Sequence, residues 1–111
     1  MAWRIRDRAT FEALRRRGQR SRRGHITVTY AAVGEESEPR VAYAVGKRAG
    51  GAVVRNGLRR RLRAVVADIS GTLEPGAYLV AAGREAVGLP YEDLKAQVTA
   101  AMTSASRERR S

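Results

Sequence analysis

Five arginines fall within nine residues, at 55, 59, 60, 61 and 63, and the segment around them from 47 to 63 holds no acidic residue. Guanidinium groups fork onto phosphate oxygens and stack on planar bases, which ammonium groups do not. Exposed helices usually balance such cations with acids one turn away. That pairing is missing here, so a solvated face without a partner would carry uncompensated repulsion, which a phosphate backbone removes while releasing counterions. Lys47 and Arg48 lie just upstream, followed by Gly50 and Gly51. Glycines let a backbone come close to a ligand, and the start of a helix favours anions.

The rest of the charge follows the same uneven pattern. Residues 1–24 carry a net +7 and residues 47–63 another +7, while the remainder is net −3 against a total of +11. An excess confined to two segments implies two patches facing a polyanion. No comparable grouping supports chemistry by the chain itself. His25 is the single histidine, and a general base needs a positioned partner. Glu35, Glu36 and Glu38 share one polar stretch, and Glu92 and Asp93 suit the start of a helix. Neither set resembles a two-metal carboxylate site. The absence of cysteine excludes disulfides and thiolate metal sites and suits a reducing, cytoplasmic setting. No apolar run reaches the ~20 residues that span a bilayer, so no membrane partner is expected.

These side chains need a scaffold, and 111 residues suggest one domain over 1–111, ordered over about 5–106, with a frayed Arg107–Ser111 tail. A short helix is expected over 8–17, with Phe11 and Leu14 on one face and Gly18 as its stop. His25 to Val33 alternates as a half-buried strand, with Ile26, Val28 and Tyr30 on one side and His25, Thr27 and Thr29 on the other. The polar stretch 34–39 reads as a hairpin loop into a second strand, Arg40 to Gly46, with Val41, Tyr43 and Val45 opposite Ala42 and Ala44. A helix over 52–69 places Val54, Leu58, Leu62, Val65 and Ile69 on one stripe. Asn56, Arg59, Arg60 and Arg63 fall on the other side, Arg55 near the border, and Arg61 flanks the stripe. A strand over 77–82 and a helix from Pro90 to about Ser106, with Leu94, Val98 and Met102 on one face, complete the chain. The expected fold is α+β, an α-β-β-α-β-α sandwich in which helices cover one face of a small sheet. The other face, with Thr27, Thr29, Ala42 and Ala44, stays open.

The run Val45-Gly46-Lys47-Arg48-Ala49-Gly50-Gly51-Ala52-Val53-Val54-Arg55-Asn56-Gly57-Leu58-Arg59-Arg60-Arg61-Leu62-Arg63 resembles the signature of bacterial ribonuclease P proteins. Phe11 and Gly18 match that family's first helix and its end, and Tyr78 to Arg84 resembles its apolar strand. The chain departs from the pattern at Gly57, where the family has arginine, and at Gly46, where serine is common. Arg15 stands where some relatives carry an aromatic residue.

The resemblance implies a protein subunit of a ribonucleoprotein. In it a catalytic RNA, with Mg2+ held mainly by that RNA, removes the 5′ leader of precursor tRNA. Arg55, Asn56, Arg59, Arg60 and Arg63 would bind the ribonuclease P RNA. Phe11, Thr27, Thr29, Ala44, Lys47 and Arg48 would line a cleft for the single-stranded leader, in a monomer within a 1:1 particle. Phe11 as core packing, and Thr27 and Thr29 as ordinary strand residues, stay open as alternatives. The resemblance also implies a left-handed βαβ crossover, against the general right-handed rule, an arrangement shared with a ribosomal protein domain. A non-enzymatic ribosomal or RNA-chaperone protein is the competing reading, since composition and fold alone do not fix function.

Overall fold

The structure, a computed structural model, describes residues 3–32 and 38–108. Five strands form one sheet: β1 (Trp3–Arg4), β2 (Gln19–Arg23), β3 (Ile26–Ala31), β4 (Pro39–Val45) and β5 (Gly76–Ala82). The helices are α1 (Arg8–Arg17), α2 (Ala52–Ile69) and α3 (Tyr91–Glu108), with 3₁₀ turns at Lys47–Ala49, Ser70–Thr72 and Arg84–Ala86. The α+β class is as expected, and α1 and α2 have the expected bounds. α3 continues through Arg107 and Glu108, beyond its expected end at about Ser106, and residues 109–111 lie outside the described residues.

The sheet order is β1-β4-β5-β3-β2. The expected hairpin between the strands on either side of the 34–39 stretch is therefore wrong. β3 and β4 do not pair, because β5 lies between them, antiparallel to β3 and parallel to β4. The physical reason is β5 itself: Gly-Ala-Tyr-Leu-Val-Ala-Ala carries no charge and has no exposed residue, so it belongs at the centre. Residues 34–37 of that stretch, and Val33 at the end of the expected preceding strand, lie outside the described residues.

A second correction concerns His25, which lies in a turn and not in a strand. Gln19–Arg23 forms β2 and pairs with β3 from Gln19↔Tyr30 to Arg23↔Ile26, leaving Gly24 and His25 as a two-residue connection. Gly24 has φ +61, the positive value that glycine supplies at the first central position of a tight hairpin turn. The turn is held from outside, because Gln97 Oε1 on α3 accepts a hydrogen bond from the His25 amide at 2.8 Å.

One face of the sheet carries the main core. Ile26, Val28 and Tyr30, Val41 and Val45, and Tyr78, Val80 and Ala82 pack against α2 and α3. On α2 the buried set is Leu58, Leu62, Val65, Val66 and Ile69. Val54 was expected in this stripe but is 39% exposed, because it sits in the first turn over Gly50, beyond the edge of the sheet. On α3, Leu94, Val98 and Met102 are fully buried as expected.

A third correction is that helices occupy both faces of the sheet. A smaller cluster of Ile5, Leu14, Ala31 and Ala77 places α1 on the opposite side of the sheet. Asp7 caps α1, accepting from the Thr10 amide at 2.9 Å and from its hydroxyl. These hydrogen bonds hold the Asp7 carboxyl below its usual range. At the other end, a Cβ on Gly18 would come within 2.3 Å of both the Leu14 carbonyl oxygen and Thr29 Cγ2. Glycine is what allows α1 to end pressed against β3.

Candidate nucleic-acid interface

Strand register decides which side chains share the α1 face, since directly paired residues point the same way. One row across the sheet reads Arg22, Thr27, Ala81, Ala44, and the next reads Arg20, Thr29, Leu79, Ala42. The third begins Ala31, Ala77, Arg40. The helix α1 packs on the third row and the edge of the second, where Leu14, Ala13, Ala42 and Leu79 meet. The first row has no helix packed on it and is floored by small side chains.

Thr27 and Ala44, two predicted cleft residues, are thus brought together across Ala81. Thr29 lies one row back, partly covered by the end of α1. Phe11 is 42% exposed on α1, so its ring is not core packing in the manner of Leu14. Lys47 and Arg48 are exposed in the 3₁₀ turn that follows β4, beyond Ala44 at the same end of the sheet. Sequence reasoning missed Leu79 and Ala81 in the floor and Arg20 and Arg22 at its far side. The signal available was the alternation in Gln19-Arg20-Ser21-Arg22-Arg23, where Ser21 alone is buried.

The basic helix is more differentiated than its sequence suggests. Arg55, Arg59 and Arg63 recur every four residues along the flank nearest β4. Arg59 donates to Asn56 Oδ1 at 3.1 Å and reaches the Val45 carbonyl at 3.5 Å. The Arg63 guanidinium carbon lies 5.7 Å from the centre of the Tyr43 ring, a cation–π contact. Burial pushes the Tyr43 phenol up to about 12, so it stays neutral beneath the cation. Arg55 Nε is buried without a hydrogen-bond partner among the described residues, an arrangement that is costly unless an acceptor arrives. Arg60 and Asn56 are exposed on the outer face.

Arg61 is different. Its guanidinium donates to the Val87 carbonyl at 3.2 Å and to the Leu89 carbonyl, fastening α2 to the connection before α3. Gly57 interrupts nothing, since α2 is continuous over 52–69 and no heavy atom lies within 4 Å of a Cβ placed there.

Ion pairs among the described residues include Arg15 and Arg16 with Glu12, Arg40 with Asp7 and Lys95 with Asp68. None of these pairs involves the arginines of α2. The described residues also contain no cluster of three or more His, Asp or Glu side chains arranged to hold a metal ion, and no helix long and apolar enough to cross a membrane. The arrangement offers cations, backbone and a shallow floor, which is equipment for holding an anionic chain.

Fold and surface together define a small basic α+β protein with one incompletely covered sheet face. A family model described as Ribonuclease P matches residues 1–106, and the chain belongs to that family. It is 35% identical to the ribonuclease P protein component of Thermobifida fusca over 96% of its own length and 78% of the relative's. It is 31% identical to that of Clavibacter michiganensis over 94% and 93%. Its fold is that of the RNase P protein of Staphylococcus aureus, with a TM-score of 0.82 at 21% identity over 95% and 96% of the two chains. The Thermotoga maritima protein superposes with a TM-score of 0.77 at 17% identity over 86% and 91%.

Proposed function

We propose that this chain is the protein subunit of a ribonuclease P particle, which binds the catalytic RNA through α2 and the 5′ leader of precursor tRNA through the open sheet face. The observation that carries this reading is the uncovered row Arg22, Thr27, Ala81, Ala44, with Arg22 at one end and Lys47 and Arg48 beyond the other. A single strand laid there meets small side chains and backbone, with cations at its phosphates, which suits binding without strong sequence preference. Phe11 supplies one aromatic surface at the margin.

The second contact is the flank of α2. Arg55, Asn56, Arg59, Arg60 and Arg63 offer guanidinium and amide donors to folded RNA. The Lys47–Ala49 turn links the two surfaces. The hydrolysis is assigned to the RNA, whose phosphates would hold the Mg2+ that activates the attacking water. The protein's residues position the leader and neutralise charge.

The test is reconstitution. Purified protein added to a ribonuclease P RNA should restore 5′ processing of precursor tRNA at modest magnesium, where the RNA alone is slow. Failure to stimulate, or copurification from cells with ribosomal RNA alone, contradicts the proposal.

A further inference from the structure

We propose that Arg20 and Arg22 of β2 form a distal phosphate clamp, so that the leader crosses the strands from β4 to β2. This inference rests on the leader reading above and extends it to a part of the face for which the sequence resemblance supplies no residue. The register sets Arg22 beside Thr27 and Arg20 beside Thr29, on the face that α1 leaves partly open. From β2 to β4 is three inter-strand spacings, about 14 Å, which separates this clamp from the cations at Lys47 and Arg48.

Charge on an edge strand can serve only to prevent unwanted strand pairing. The alternation within β2 argues for more. Arg23 lies on the opposite face and is occupied, donating to Ser104 Oγ on α3 at 2.7 Å and to the Arg22 carbonyl at 2.8 Å. Arg22 uses only its Nε, donating to the Gly24 carbonyl at 3.2 Å, and its two terminal nitrogens make no hydrogen bond among the described residues. Arg20 is exposed and makes none among them. No acidic residue occurs between positions 13 and 34, so neither α1's last turn nor β3 brings a carboxylate toward this pair. Arg17 ends α1 just before β2 and adds a third cation nearby.

The experiment measures affinity of the reconstituted particle for precursors whose leaders run from a single nucleotide to about ten, a range comparable to the ~4–16 nucleotides held by other single-strand grooves. The double variant Arg20→Ala/Arg22→Ala should bind long-leader precursors roughly ten-fold more weakly and lose about 0.7 of salt slope per phosphate contact. Its affinity for the shortest leader and for mature tRNA should not change. Arg23→Ala, which removes a charge from the other face, should show no dependence on leader length. Equal loss at every leader length, or no loss at any, overturns the clamp. Ala81→Asp in the same series separates the two levels. If it weakens leader binding while the β2 variant does not, only the clamp fails. If it also has no effect, the leader reading fails with it.

Discussion

Val80 and Ala81 are consecutive in β5, yet they belong to different kinds of surface. Val80 is fully buried between β3, β4 and the two long helices, on the face where the Tyr30 and Tyr78 rings meet, tilted by 60°, with centres 4.9 Å apart. Ala81 is only partly buried on the face where α1 stops short. The sheet has one side that is a core and one that is a floor, and the difference comes from what the helices can reach. α2 and α3 are 18 residues each and span the sheet. α1 is 10 residues and covers one end. A sheet with an unfinished second layer leaves polar-tolerant space beside rigid backbone, which is where a flexible strand can be held.

The comparison breaks most sharply with a charge placed on each side. Val80→Asp should destabilise the fold by at least ~4 kcal/mol, since it buries a carboxylate without a partner. Ala81→Asp should leave the melting temperature nearly unchanged and weaken precursor binding, with little effect on mature tRNA. Thermal melts and paired binding assays read both. If Ala81→Asp unfolds the protein as Val80→Asp does, the second face is also core.

Next is the junction that sets how far α1 reaches. Gly18→Ala forces a Cβ into the Leu14 carbonyl and the Thr29 methyl, at a cost of about 1–3 kcal/mol if the helix end shifts. Precursor affinity should fall with stability, because the margin of the cleft moves. Unchanged stability in urea titration contradicts the tight contact.

A smaller effect separates arginines of one helix. Arg63→Ala should lower the salt dependence of RNA-subunit binding by about one unit, as expected for a lost phosphate contact. Arg61→Ala should leave that slope intact and lower stability by ~1–3 kcal/mol, because its guanidinium is committed to the Val87 and Leu89 carbonyls. A reversed pattern would exchange their roles.

The smallest change is at Gly57, where space is free. Gly57→Ala should stabilise α2 by about 1 kcal/mol. Chemical denaturation is sensitive enough to see it, and a loss of stability would reveal a constraint that the backbone does not show.

Much of this was readable in advance, for identifiable reasons. The α2 stripe of Leu58, Leu62, Val65 and Ile69 has helical period and one buried side, so both bounds and facing followed. β4 alternated cleanly and landed within one residue of its expected limits. β2 escaped because its polar residues give no hydrophobic period; its partner is set by the Gly24 turn and by α3 behind Ser21. The misplaced hairpin shows the same limit. Local alternation identified β3 and β4 but carried no information that the uncharged β5 would separate them. Thr27 and Ala44 were picked individually, while the residue between them, Ala81, was legible only once register was known. Charge counting also overstated α2, since Arg59 and Arg61 spend donors on the protein's own carbonyls.

The most direct measurement is site mapping of a crosslink. A precursor tRNA carrying a photoreactive nucleotide in its leader, bound to the reconstituted particle, should join to segments containing Thr27, Ala44 or Ala81, and those joins should disappear when excess unlabelled precursor is added. Crosslinks confined to the outer surface of α3, or to no part of the α1 side of the sheet, would contradict the account.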